Sequence, residues 1–196
     1  QYKGFTWQYE ITPDDNTTWP VNQEKQGYDT NNAYINANGN LEVKLIRVQN
    51  ANNQADIAYK SSRLITVDDN ETLKLEKGKT LSVDFEAKMP KAYSSDGTEL
   101  SGIPLWPALW MMGTEIYNGT VWPHCGEIDI IEWSPSNGPS KYSHALHFQG
   151  TEGHQFLHGS HIHSEDLSNA FHNYKTIISH PNYGTPSIEM FFDASS

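Results

Sequence analysis

Alternation of apolar and polar positions organises most of this chain. Leu81-Ser82-Val83-Asp84-Phe85-Glu86-Ala87-Lys88-Met89 alternates over its whole length, the pattern of a half-buried antiparallel strand. Residues 41–46 repeat it after the turn signal Asn38-Gly39-Asn40. Further strands are predicted at 105–112, 127–133, 143–148, 174–179 and 187–192. No segment sustains a long helical period. Short strands separated by turn residues predict an all-β sandwich, and no repeat or composition break divides residues 1–196 into more than one domain. Two stretches read as long loops. Residues 90–104 carry Ser94-Ser95-Asp96-Gly97, and 149–170 are rich in His, Gly and Ser.

One predicted strand breaks the pattern. Gly126-Glu127-Ile128-Asp129-Ile130-Ile131-Glu132-Trp133 sets three carboxylates into a β-branched run, although Asp and Glu are depleted in strands and costly to bury. Alternation puts Glu127 and Asp129 on one face and Ile128 and Ile130 on the other, which would send Glu132 into the core. One extra residue, a β-bulge at Ile130-Ile131, returns Glu132 to the face of the other two acids. The plain alternative is a surface strand whose acids face water. The chemical alternative is glycoside hydrolysis, in which two carboxyl groups about 5–5.5 Å apart serve as nucleophile and acid/base of a retaining enzyme. Ideal strand geometry leaves Glu127 and Glu132 somewhat too far apart, so twist and side-chain lean must close the gap. Asp129 between them would position the nucleophile and separate the two glutamate pKa values.

Composition narrows the partner. The formal net charge is −11, from 13 basic and 24 acidic residues. That balance opposes nucleic acid and an anionic membrane surface, and it disfavours sulfated polysaccharides. A neutral glycan suits it. Cys125 is the only cysteine, so no intrachain disulfide forms, and it reads as a small packing residue. No apolar run reaches the length of a membrane span. The start at Gln1 is the expected start of a processed, secreted product, and sequons at Asn16, Asn70 and Asn118 add weak support.

Two further segments carry candidate chemistry. In Leu105-Trp106-Pro107-Ala108-Leu109-Trp110, both indoles have one parity and could serve as flat platforms for sugar faces or as core aromatics. Pro107 marks a strand start or a bulge. Trp133 has the parity opposite to Glu132, which is that of the core. In Ser143-His144-Ala145-Leu146-His147-Phe148, His147 shares a face with Ala145 and could hydrogen-bond a carboxylate or sit satisfied in the core, whereas His144 belongs with Leu146. His154, His158, His161 and His163 invite a metal reading, but they read better as a polar loop with a substrate contact, and no metal ligand is assigned.

Taken together these segments resemble glycoside hydrolase family 16, the laminarinase and lichenase-like β-glucanases. Glu127, Asp129 and Glu132 match the bulged Glu-x-Asp-x-x-Glu signature in full. Residues 104–113 are similar to the family's Leu-Trp-Pro-Ala-Leu/Phe-Trp segment, 144–148 to its Leu-His-aromatic strand, 171–174 to Phe-His-x-Tyr, and 38–45 to its early Asn-Gly-Asn-Leu strand. The resemblance implies a β-jelly-roll sandwich of two antiparallel sheets with a concave substrate cleft. It implies Glu127 as nucleophile, Asp129 as assisting acid and Glu132 as acid/base. Trp106, Trp110 and His147 match cleft positions, and Trp133 is counted with them as a substrate contact. Such a mechanism requires no cofactor, while the family leaves room for a structural calcium.

Two departures stand out. Family members continue through further strands beyond the one resembling 187–193, so a fragment with a missing C-terminal segment, a second chain completing the sandwich, or an altered topology is expected. The usual Glu-Trp pair after Tyr174 is replaced by Thr176-Ile177-Ile178-Ser179. The expected activity is endo-acting retaining hydrolysis of β-1,3-glucan or mixed β-1,3/1,4-glucan outside the cell. The alternatives are a β-glucan transglycosylase and a non-catalytic glucan-recognition protein, the second of which has no need for both glutamates.

Overall fold

The computed structural model describes residues 5–10, 26–47, 59–66 and 73–193; the sequons at Asn16 and Asn70 lie outside them. The chain divides into two compact units, Gln1–Leu73 and Lys74–Ser196. Among the described residues the first holds seven short strands: β1 (Gln8–Tyr9), β2 (Gln26–Tyr28), β3 (Ala33–Ile35), β4 (Leu41–Val43), β5 (Ile46–Arg47), β6 (Tyr59–Ser61) and β7 (Leu64–Ile65). They form a β1–β7 pair, a β3–β4 hairpin and a β2–β6–β5 sheet. The β2–β6 pairing is parallel, a local exception to the antiparallel expectation. The Asn-Gly-Asn signal is the β3–β4 turn. Asn36 Oδ1 accepts from the Asn38 and Asn40 amides at 3.0 and 3.1 Å, and Gly39 takes φ 79°.

The second unit contains β8 (Lys79–Ala87), β9 (Ala92–Tyr93), β10 (Glu99–Leu100), β11 (Ala108–Met112), β12 (Glu127–Trp133), β13 (Lys141–Gly150), β14 (Gly153–Ile162), β15 (His172–His180) and β16 (Ser187–Phe192). One sheet runs β16–β15–β8 and the other β11–β12–β13–β14, both antiparallel. The described residues contain no α-helix, and none of their helices is long and apolar enough to cross a membrane.

The alternating run 81–89 does what its pattern predicts. Val83, Phe85 and Ala87 turn inward opposite Thr176, Tyr174 and His172 of β15, and Met89 continues the buried set. From the facing sheet come Ile130, Ile131, Trp133 and Tyr142. The Tyr142 ring meets Tyr174 edge-on at 5.5 Å and lies 5.5 Å from Phe192, so aromatic contacts join the two sheets. Fully burying a residue such as Ile131 or Leu167 contributes about 1.5–3 kcal/mol.

The predicted loops need correction. Residues 90–104 contain the β9–β10 hairpin, turned at Gly97 with φ 85°. Residues 149–170 are mostly strand, because β14 pairs with β13 over ten positions from Lys141↔Ile162 to Gly150↔Gly153. Apolar alternation is absent there because nearly all of β14 is exposed.

Candidate active site

The bulge forms where the pattern required it. Asp129 pairs with Ala145 and Glu132 with Ser143, so three residues of β12 advance against two of β13. On the other side, Leu109 pairs with Ile131 and Trp110 with Asp129, which leaves Ile130 without a partner on β11. Both Ile130 and Ile131 enter the core, and all three acids reach the opposite face. The register then lays out three cross-strand rows from β11 to β14: Met112, Glu127, His147, Phe156; Trp110, Asp129, Ala145, His158; and Ala108, Glu132, Ser143, Ser160.

Each glutamate receives one indole N–H. Trp122 Nε1 donates to Glu127 Oε2 at 2.6 Å, and Trp106 Nε1 donates to Glu132 Oε1 at 3.0 Å. Trp106 comes from the segment just before β11, where the Pro107 carbonyl still accepts from the Trp133 amide at 3.1 Å. Pro107 therefore stands at the strand start, as its missing N–H dictates. Trp122 comes from the β11–β12 connection, which closes tightly. The Gly113 amide donates to the Gly126 carbonyl at 2.9 Å, and a Cβ at Gly113 would lie 1.7 Å from the Cys125 carbonyl oxygen. Cys125 itself is half-buried with Sγ 3.5 Å from Met112 Sδ, in keeping with a packing role.

Asp129 lies between the glutamates and is 4% exposed. Burial, the charges of Glu127 and Glu132, and a hydrogen bond with Glu127 push its carboxyl up to about 8. It is therefore protonated at neutral pH and can donate to Glu127. Its Oδ2 lies 3.2 Å from His147 Nε2, the contact foreseen for a cleft-face imidazole. His147 Nδ1 in turn lies 2.9 Å from His154 Nε2, and the two rings stack. Glu132 is also raised, by burial first and then by the Glu127 charge, against the lowering effect of the Trp106 hydrogen bond.

The structure thus brings Glu127, Asp129, Glu132, Trp106 and His147 together, with Trp110 beside Asp129 in register. It does not bring Trp133. That residue is 2% exposed in the core cluster, and its Nε1 donates to the Pro139 carbonyl at 3.1 Å. Its parity, one residue past Glu132, decides its burial over the expected substrate contact. Trp122 was missed, because its five-residue offset from Glu127 across turns shows no periodicity. His144 stays on the face away from the acids, where burial lowers its pKa.

The four loop histidines do not converge. Strand alternation sends His154 and His158 to the acid face, while His161 packs on Tyr142 and Phe192. His163 instead meets His172 and Asp193, with one ligand atom from each within 4.8 Å of the others. His172 Nδ1 lies 2.8 Å from Asp193 Oδ2. Burial alone would push Asp193 up, but the hydrogen bonds from His172 and the Asn173 amide hold its carboxyl below the ordinary range. Among the described residues this is the group suited to a metal ion. Its two nitrogens and one oxygen match a zinc-type ion better than the oxygen cage of calcium.

No family model matches the chain. It is 31% identical over 190 residues to glucan endo-1,3-beta-glucosidase A1 of Niallia circulans, an alignment covering 90% of this chain and 25% of that protein. The chain therefore spans about a quarter of the length of that relative. Among solved structures, the glycoside hydrolase family 16 endo-glucanase from Bacteroides ovatus, in complex with G4G3G-2F-DNP, superposes with a TM-score of 0.65 at 23% identity, covering 95% of this chain and 69% of that one. The endo-1,3-beta-glucanase from Streptomyces sioyaensis gives a TM-score of 0.68 at 21% identity, covering 95% and 66%. The chain has the β-jelly-roll fold of the glycoside hydrolase family 16 endo-glucanases.

Proposed function

We propose that the chain carries the catalytic machinery of an endo-acting, retaining glycoside hydrolase that cleaves β-1,3-glucan or mixed β-1,3/1,4-glucan. The observation that supports this most is the pair Glu127 and Glu132, held on one face by separate indole donors around a buried, protonated Asp129. Glu127 attacks the anomeric carbon while Glu132, whose affinity for its proton burial raises, gives that proton to the departing glycosidic oxygen. Water then opens the glycosyl-enzyme ester, with Glu132 as base. Asp129 donates a hydrogen bond to Glu127, aligning it and making it a better leaving group in the second step. The two carboxyl groups supply both roles, so the chemistry calls on no cofactor.

The relative's name and the ligand in the Bacteroides structure support a β-glucan as substrate. The net charge of −11 favours a neutral polymer. A polysaccharide cannot cross a membrane unaided, which supports an enzyme that works outside the cell. The test is product analysis of the full chain on laminarin and lichenan. New reducing ends with retained anomeric configuration support hydrolysis, rearranged chain lengths without new reducing ends would indicate transglycosylation, and binding without turnover would overturn the enzyme reading. Azide should rescue Glu132→Ala with retained and Glu127→Ala with inverted configuration. The opposite pattern would exchange the roles.

A further inference from the structure

At one end of the sandwich, metal-binding side chains that the glycosidic chemistry leaves unused come together from both sheets. His163 follows β14 of the acid-bearing sheet, while His172 opens β15 and Asp193 follows β16 of the other sheet. One donor atom from each lies within 4.8 Å of the others. Phe192 packs against both imidazoles, stacking on His172 at 5.2 Å and meeting His163 at 5.0 Å. His163 has the parity of His161, whose ring also lies on Phe192, and not that of His158 on the acid face. The group therefore stands apart from the carboxylates.

His172 is 6% exposed, and its Nδ1 lies 2.8 Å from Asp193 Oδ2. Its Nε2 is buried and has no hydrogen-bond partner among the described residues. When Nδ1–H donates to the carboxylate, Nε2 keeps a bare lone pair, which is costly to bury unpaired. The same arrangement makes a good metal ligand, because the carboxylate fixes the tautomer and raises the basicity of the other nitrogen. His163 is held in a similar way. Its Nδ1 lies 3.4 Å from the Glu165 carbonyl oxygen and 3.1 Å from the Glu165 amide, which leaves Nε2 for a ligand. The backbones are already anchored. The His163 amide donates to the Ser140 carbonyl at 2.8 Å, the Asp193 amide to the Asn173 carbonyl at 2.9 Å, and the Asn173 amide to Asp193 Oδ1 at 2.8 Å. Little further ordering is needed to bind an ion there.

We propose that His163, His172 and Asp193 bind a zinc-type divalent ion that ties the ends of the two sheets together. Two imidazoles and a carboxylate oxygen are a common donor set for such an ion, with solvent completing its coordination, whereas calcium calls for a larger, all-oxygen set. Small side-chain rotations bring the donors to the roughly 2 Å bonds of zinc. The net charge of −11 draws cations toward the chain. The role is structural. The three donors meet only in the folded chain, so the ion stabilises the fold by mass action and takes no part in the chemistry at Glu127 and Glu132.

The experiment follows thermal unfolding of the full chain in a chelator and in rising zinc chloride, for the parent, His163→Ala, Asp193→Asn and His154→Ala. The readout is the difference between the two midpoints of each variant, so a general change in stability cancels. The parent midpoint should rise with the logarithm of the zinc concentration. His163→Ala and Asp193→Asn should each weaken zinc binding about tenfold or more, read as the higher zinc concentration needed for the same rise. His154→Ala, on the acid face, should respond as the parent does. Cobalt(II) in place of zinc should give visible ligand-field absorption that His163→Ala removes. No zinc-dependent rise in the parent, or a rise that survives both substitutions in the cluster, overturns the proposal. A response lost in His154→Ala and kept in His163→Ala places the ion on the acid face and overturns it as well.

Discussion

Strands β12 and β14 belong to one sheet, yet they answer to opposite constraints. β12 is paired on both sides, with Ile130, Ile131 and Trp133 packed into the core and Asp129 buried on its other face. Among the described residues β14 pairs with β13 alone, and most of its positions are exposed. On β12 a residue's identity is dictated twice, by packing below and by charge above. On β14 packing dictates little, so aromatic rings and imidazoles are left free for surface recognition. In the proposed reading the reacting groups stand on β12 and none on β14, so substitutions on the two strands should differ in kind.

The largest contrast should be in turnover. Replacing Glu132 or Glu127 by Gln on β12 should lower the rate of laminarin hydrolysis by about 10²–10⁴-fold, whereas His158→Gln on β14 should leave kcat for short oligosaccharides within a few-fold. Comparable losses from both strands, read from initial rates, would remove the distinction. Stability comes next. Ile131→Ala empties a fully buried position and should cost about 2–5 kcal/mol in denaturant unfolding. Leu157→Ala, at a residue 66% exposed, should change stability by about 0.5 kcal/mol or less.

A further effect concerns pH. The folded chain holds the Asp129 proton up to about pH 8, while the unfolded chain releases it near the ordinary aspartate value of 3.8. Between these values the native state binds more protons, so this group makes the wild type less stable as pH rises. Asp129→Asn cannot ionise. Its thermal midpoint should match the wild type near pH 4 and rise above it progressively toward pH 8. A constant offset across that window would show that the proton is not held. The smallest expected effect is Trp106→Phe. Loss of the indole donor should raise the Glu132 pKa and move the alkaline limb of the activity profile to higher pH.

The same contrast explains how far the residues alone could be read. Lys79–Ala87 and Glu127–Trp133 were legible because burial imprints a period on a strand, and in β12 the misplaced Glu132 even disclosed the bulge. β14 resembles a loop in sequence because neither of its faces carries an apolar period. Trp133 is expected among the substrate contacts, yet its parity, opposite to that of Glu132, is that of the core, where it lies. His163 stands with His172 of β15 and Asp193 just after β16 rather than with the other three histidines, a neighbourhood that sequence spacing does not show.

By itself, the order of residues determined the all-β class, the positions of the buried strands and the shared face of Glu127, Asp129 and Glu132. These are local matters, settled by a two-residue period and the cost of burying charge. Tertiary structure alone decided that Trp122 holds Glu127, that Trp106 holds Glu132, and that Asp129 is the carboxylate His147 meets. A period tells which face a side chain takes, but not what lies opposite it. That depends on the register between strands and on the path of the connections, and both are set by packing across the whole sandwich.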